Sequence, residues 1–471
     1  MFKRLNNSAV VWSWIFNGVR LVSGIVLLPL IVHALSTADL GMYYVLLSLV
    51  ALAPIIDFGF GPTMGRFVSY AMGGAETLHA HGPPTPGKTG APNYDLLWQL
   101  LHTTRRLYRY VALATLVIMG VWGTWLVELR IGETSSPLIT RLAWAVTLAS
   151  TVFDIYWNWW TTYLTGLNEV RAAARISVLG MTIKLVLSAA LLLGGAGLLS
   201  VPVATLASSA LQRGLARRLC LARLEGHPAP AMIEAQKYFR ILWPNAWRLG
   251  VQFVSGYLTT NANTAICLAA FGLAANARYG LSVQVMAIAA GMANVWFSVK
   301  LPLLSQCHAR LDFAGLRRIL WPRFWLQVIT FLLLAGIAVW LGPALLKWAG
   351  SHKEMLSRPW LAVLMLYTFL EMQFSIWGTL IATGNRLTYL WPTVATNVLS
   401  LLLSLALVHF TTLGLGALVL GPLLAGAVFN YWYWPGFAAR GIGTTFFRFL
   451  FFGSAQSKRP IESYSTTDEH R

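Results

Sequence analysis

Twelve largely apolar stretches, most of them long enough to cross a bilayer as a helix, recur along this 471-residue chain. A span needs about 20 such residues, because a helix rises about 1.5 Å per residue and lipid gives an open backbone amide no partner. The windows fall near 11 to 34, 42 to 65, 109 to 128, 138 to 164, 176 to 194, 198 to 212, 242 to 270, 279 to 300, 322 to 346, 359 to 383, 388 to 409 and 414 to 435. Only the glycine-rich turn at Gly194 to Gly197 separates the fifth from the sixth. Alternating segments of about ten residues, the mark of an outer-membrane barrel, are not seen in the sequence. The expected fold is therefore all-α and integral to the membrane, with about twelve transmembrane helices.

Composition agrees: 57% of residues are apolar and 11% charged, where a soluble domain carries roughly a quarter charged residues. A soluble enzyme is excluded, and so is a disordered chain, since 21 Trp, 16 Tyr and 23 Phe are the reverse of a solvated composition. Cys220, Cys267 and Cys307 lie far apart, with no C-x-x-C and no histidine at ligand spacing, so neither a disulfide framework nor a metal site is expected. Lys3 and Arg4 precede the first window, and Val32-His33-Ala34 imitates a cleavage site. That run is too long for a signal-peptide core and reads as an uncleaved first helix.

The formal net charge is +19, which in a soluble protein points to nucleic acid. Its placement points to topology instead. Lys and Arg collect in cytoplasmic loops, and 26 of the 35 fall on the side of the membrane that holds the N-terminus. The opposite side holds Arg130, Arg141, Arg278, Lys347, Lys353 and Arg358. Both termini are thus expected in the cytoplasm, and a nucleic-acid partner is not expected. The longest segments between windows, 66 to 108 and 213 to 240, lie on the basic side, while every loop on the other side is short.

The two halves of the chain resemble each other. Leu35-Ser-Thr-Ala-Asp-Leu-Gly-Met-Tyr43 aligns with Phe271-Gly-Leu-Ala-Ala-Asn-Ala-Arg-Tyr279. The stretch from Trp159 to Gly166 aligns with Trp377 to Gly384, and Leu187-Ser188 with Leu403-Ser404. Each match is weak alone, but their common order fits the internal repeats from which transporters are built. The expected organisation is two pseudo-symmetric six-helix lobes around a central cavity. Residues 1 to 212 form the first, 213 to 240 a basic linker, 241 to 435 the second and 436 to 471 a cytoplasmic tail.

Charges inside membrane helices are costly and normally have a task. Arg20, Lys184 and Arg248 are the intramembrane bases, and Asp57, Asp154 and Glu371 the acids. On one reading Arg20, Arg248 and Lys184 line a cationic cavity and bind an anionic headgroup, Arg being shaped for bidentate contact with phosphate. Asp57, Asp154 and Glu371 then serve ion coupling or gating, with H⁺ or Na⁺ as coupling ion. On the other reading the groups pair, Arg20 with Asp57 and Lys184 with Asp154, and hold helices together. Pro54, Gly59, Gly61 and Pro62 in the second window, with Gly24, Pro29 and Pro244, suggest hinges. The run Tyr156-Trp157-Asn158-Trp159-Trp160 is either a sugar-stacking platform or packing surface.

Leu35-Ser-x-x-Asp39-Leu-Gly41-Met-Tyr43, then Asp57-Phe-Gly59-Phe-Gly61-Pro-x-Met-Gly-Arg66 and Ala71-Met-Gly-Gly-Ala75, resembles the first two helices of Wzx-type polysaccharide flippases. These belong to the multidrug/oligosaccharidyl-lipid/polysaccharide exporter superfamily. The resemblance implies an undecaprenyl-diphosphate-linked oligosaccharide as cargo, turned from the inner to the outer leaflet of the bacterial inner membrane by alternating access. It also implies a polysaccharide polymerase and export machinery as partners. It places Arg20 where flippase relatives carry cavity cations, whereas Asn261 and Asn263 stand where some relatives carry acids. Two alternatives remain. A multidrug or organic-cation antiporter of the same superfamily requires an acid-rich, apolar cavity. A membrane glycan polymerase requires a sizeable external loop or clustered carboxylates. No catalytic residue and no cofactor beyond the coupling ion are expected.

Overall fold

The computed structural model describes residues 9–79, 85–86, 91–230, 235–298, 300–301, 304, 307, 312–348, 353–383 and 390–453, and within the helices some side chains, those of Arg20 and Arg248 among them, lie outside the description. Helix α1 is Ala9–Ala34, and the second pass is broken into α2 (Thr37–Val50), α3 (Ala53–Asp57) and α4 (Phe60–Met72). A short antiparallel hairpin, β1 (Ala75–Thr77) with β2 (Thr85–Pro86), precedes α5 (Tyr94–Ile118), which continues through a π-turn at Met119–Gly123 into α6 (Thr124–Glu128). Then come α7 (Pro137–Gly166), α8 (Val170–Leu193), α9 (Ser200–Leu224), α10 (Ala235–Thr260) and α11 (Ala262–Ser298). Helices α12 (Phe313–Trp348), α13 (Arg358–Thr383) and α14 (Leu390–Phe410) follow, and α15 (Ala417–Val428), α16 (Asn430–Gly441) and α17 (Phe446–Phe452) are the last described elements. Nine described segments are long and apolar enough to cross a membrane.

Side-chain caps set the helix starts. Ser36 Oγ accepts from the Asp39 amide at 3.0 Å, and Asn93 Oδ1 from the Leu96 amide at 3.0 Å. Ser136 caps α7 ahead of Pro137, whose missing amide costs nothing in a first turn. Breaks follow glycine: Phe58 and Gly59 take φ of 52° and 76°, ending α3 and starting α4, and Gly272 (φ 79°) kinks α11. The second pass is thus broken where its glycines lie, whereas α1 runs on through Pro29.

Four helices are longer than hydropathy suggests. Hydropathy alone makes 66 to 108 and 213 to 240 loop and linker, but α4 runs to Met72, α5 starts at Tyr94, α9 runs to Leu224 and α10 starts at Ala235. Lys and Arg end an apolar window without ending a helix, since both are good helix formers. The basic residues Arg213, Arg217, Arg218 and Arg223 therefore sit on α9.

The chain clusters into two compact units, Met1–Ala277 and Arg278–Arg471. Within the first unit α10 packs on α3, α4 and α5. The first unit is built around Trp159, Tyr163, Tyr108, Met64, Leu97 and Leu100, with the Tyr163 hydroxyl donating to the Leu97 carbonyl at 2.9 Å. The second is built around Trp377, Phe324, Trp434 and Phe449. Trp159 and Trp377, aligned by the repeat, are both core residues, 2% and 0% exposed. Trp159 stacks on buried Trp160 with ring centroids 4.1 Å apart, and Arg217 lies over Trp157. The aromatic run is accordingly packing surface.

Candidate functional site

Helices α2, α7, α8 and α9 surround a cavity of about 120 Å³ inside the first unit. Its wall is mostly apolar, from Leu46, Leu47, Val50, Val201 and Pro202, but α7 and α8 bring Asp154 and Lys184 to it. Thr147, Ser150 and Thr151 on α7 and Thr205 on α9 also line it. The hydroxyls of Thr147, Thr151 and Thr205 donate to the carbonyls of Ala143, Thr147 and Val201 of their own helices, at 2.7 to 2.8 Å. With the proton committed to the backbone, each oxygen keeps acceptor capacity. A carboxylate beside such oxygens suits a small cation or a proton.

Asp154 does not pair with Lys184. Its Oδ1 accepts from Arg213 on α9, at 3.0 Å from Nε and 2.9 Å from an Nη, and the other Nη of Arg213 donates to Thr161 at 2.6 Å. Both contacts fall on one oxygen, and the Asp154 side chain keeps 37% exposure against 12% for Arg213. The guanidinium is therefore the fixed partner and the carboxylate the accessible one. Lys184 lines the same cavity. Where the alternative reading paired Lys184 with Asp154, the partner of Asp154 is Arg213, because α9 continues as a helix past the apolar window that ends at residue 212.

Asp57 lies at the break between α3 and α4, outside this cavity. It accepts from the Tyr108 hydroxyl on α5 at 2.5 Å and from the Gly61 amide at 3.2 Å, so the carboxylate caps the start of α4. The pairing expected with Arg20 falls on a side chain outside the described residues. The break seats against α10: Phe58 stacks on Trp243 with centroids 5.8 Å apart, and a Cβ on Gly250 would come within 2.5 Å of the Phe58 ring. Arg248 belongs to α10 near that seat, with its side chain likewise undescribed. Lys184 is thus the one expected headgroup-binding cation whose side chain the structure places.

In the second unit, Glu371 on α13 accepts from the Tyr431 hydroxyl on α16 at 2.7 Å. Under the repeat expected from the sequence, Glu371 aligns close to Asp154. Each meets a donor on a later helix of its own unit, and the donors differ in kind. Sequence reasoning missed Arg213, Tyr108 and Tyr431. A helical reading of 213 to 224 would have exposed Arg213, and applying the repeat to it points to Tyr431.

No family model and no curated protein matches the chain. Solved structures do. The MATE multidrug transporter DinF-BH, solved in complex with a ligand, is 15% identical, covers 90% of this chain and 94% of its own, and superposes with a TM-score of 0.62. An inward-facing multidrug resistance MATE family transporter of the MOP superfamily is also 15% identical, over 89% of this chain and 92% of its own, at 0.58. A point mutant of the Vibrio cholerae MATE transporter VcmN is 14% identical, over 90% and 94%, at 0.57. The chain therefore has the MATE transporter fold, and the expected class, an all-α multi-pass membrane protein of about twelve helices, is met.

Proposed function

We propose that this chain is a secondary transporter of the MOP superfamily, in which Asp154 and Glu371 exchange H⁺ or Na⁺ as cargo crosses. The observation that carries this is the polar end of the first unit's cavity. There a partly exposed carboxylate, held through one oxygen by Arg213, stands among hydroxyl oxygens whose protons are already committed. A site of this kind gains or loses a small cation without rebuilding its helices. In the second unit Glu371, which accepts from the Tyr431 hydroxyl, would serve the same role.

For cargo, the solved relatives favour an organic cation, as they are described as multidrug transporters. The largely apolar cavity wall and its carboxylate accord with that. A second reading, the undecaprenyl-diphosphate-linked glycan, rests on Lys184 in the cavity, on the bases Arg20 and Arg248, and on the flippase-like residues 35 to 75. In that reading the protein works in the bacterial inner membrane with both termini cytoplasmic, beside a polysaccharide polymerase.

Proteoliposomes separate the two. Loaded with a fluorescent organic cation or with a fluorescent lipid-diphosphate glycan, they should show gradient-driven movement of the cation if the first reading holds. Movement of the glycan alone, slowed by Arg20→Ala and Arg248→Ala, would replace it with the second.

A further inference from the structure

Helix α17 (Phe446–Phe452) is too short to cross a membrane, yet it exposes three phenylalanines. Phe447, Phe451 and Phe452 are 71%, 71% and 69% exposed, and Arg448 is exposed beside them. At 100° per residue, Phe447 and Phe451 share one line along the helix and Arg448 and Phe452 the next, making one continuous face. The opposite face is fixed to the protein. Phe449 is fully buried against Phe324 and Trp377. The indoles of Trp321 and Trp325 both donate to the Leu450 carbonyl, at 3.1 and 3.3 Å. Thr445 caps the helix start, and buried Arg317 donates to the carbonyls of Ile442 and Gly443 in the turn that leads to it. The outward face is thus held rigidly in place.

From this we infer that α17 is an interfacial anchor whose exposed face seats in a phospholipid leaflet, with Arg448 against anionic headgroups. Three phenylalanines beside one arginine are poorly placed in water and well placed at the boundary between acyl chains and headgroups. Charge is complementary as well: the sequence holds no Asp or Glu between Glu371 and Glu462, while Arg440 and Arg448 flank the turn and Lys458 and Arg459 follow in the tail. The inference does not depend on which cargo the protein carries.

The test uses the full-length chain with Cys307→Ser, Cys220 and Cys267 being buried. Phe451→Cys is added and labelled with an environment-sensitive fluorophore in nanodiscs of phosphatidylglycerol or phosphatidylcholine. Quenching by lipid-borne nitroxide, with little quenching by aqueous iodide, is expected. Quenching by iodide instead, or protection from both together with crosslinking between two copies, would overturn the anchor. Arg448→Gln should weaken retention of phosphatidylglycerol about fivefold, the value of one basic side chain at an anionic leaflet. Retention equal to wild type would remove the headgroup contact. Since position 451 is exposed, failure of the variant to fold is not expected, and a melting temperature near that of the parent checks this.

Discussion

Asp154 and Arg213 lie 59 residues apart in sequence and meet in the first unit, as Glu371 and Tyr431, 60 residues apart, meet in the second. In each unit an acid on one helix meets a hydrogen-bond donor on a later helix. One donor is a permanent cation and the other a neutral phenol, so the two acids answer differently to the loss of their partners.

For the charged pair, Asp154→Asn leaves a guanidinium that is 12% exposed facing a neutral amide. The expected destabilisation is about 1–3 kcal/mol, below that of a fully buried pair because the carboxylate keeps access to the cavity. Asp154→Asn combined with Arg213→Gln should cost less than the sum of the single changes. Melting temperatures of the three variants in one detergent check this, and strict additivity would mean that the contact is not energetically coupled.

In the neutral pair, Tyr431→Phe removes the 2.7 Å hydrogen bond to Glu371 without changing shape much. A loss of about 1–3 kcal/mol is expected, since hydrogen bonds to charged or buried groups lie at the upper end of the range. Glu371→Gln, which still accepts from the phenol, should melt closer to wild type. The reverse order of melting temperatures would contradict the assignment.

Gly41 on α2 supports a close helix contact. A Cβ there would run into the Leu273 carbonyl, and Asn276 donates to the Gly41 carbonyl at 2.9 Å. Around it, Glu133 accepts from the Leu273 amide at 2.9 Å and Asp39 from the Ser135 amide at 3.1 Å. Gly41→Val should cost about 1–3 kcal/mol through overpacking and raise hydrogen exchange across 269 to 277. Unchanged exchange there would show that the two segments part freely.

Within the cores, Trp159→Ala and Trp377→Ala should each destabilise by about 3–5 kcal/mol, because both rings are buried in packed clusters. Trp157→Ala, at a half-buried ring that meets Arg217, Phe153 and Tyr156, should cost less, about 0.5–2 kcal/mol. Equal effects at Trp157 and Trp159 would contradict the placement of the aromatic run.

The helical passes were legible because apolar windows follow from the bilayer itself, and the break at Phe58–Gly59 was legible from its glycines. Less visible was where a helix outlasts its apolar window. Arg213 ends a hydropathy segment yet continues α9, so hydropathy puts the partner of Asp154 in a loop. Tyr108 and Tyr431 were hidden for another reason. A tyrosine in a membrane helix carries no sequence mark of the carboxylate it will meet, and helix pairing decides that. Lys184 does reach the cavity that Asp154 lines, but sequence could not tell which base would hold the acid, because two helices offered cations to it.

Ion coupling at Asp154 and Glu371 is the step on which the proposed function rests. Its most direct measurement is cargo uptake into proteoliposomes under an imposed pH or Na⁺ gradient, comparing wild type with Asp154→Asn and Glu371→Gln at matched protein content. Gradient-driven uptake is expected in wild type, collapsing in both variants to the level seen without a gradient. Uptake in the variants that follows the gradient as in wild type would contradict it.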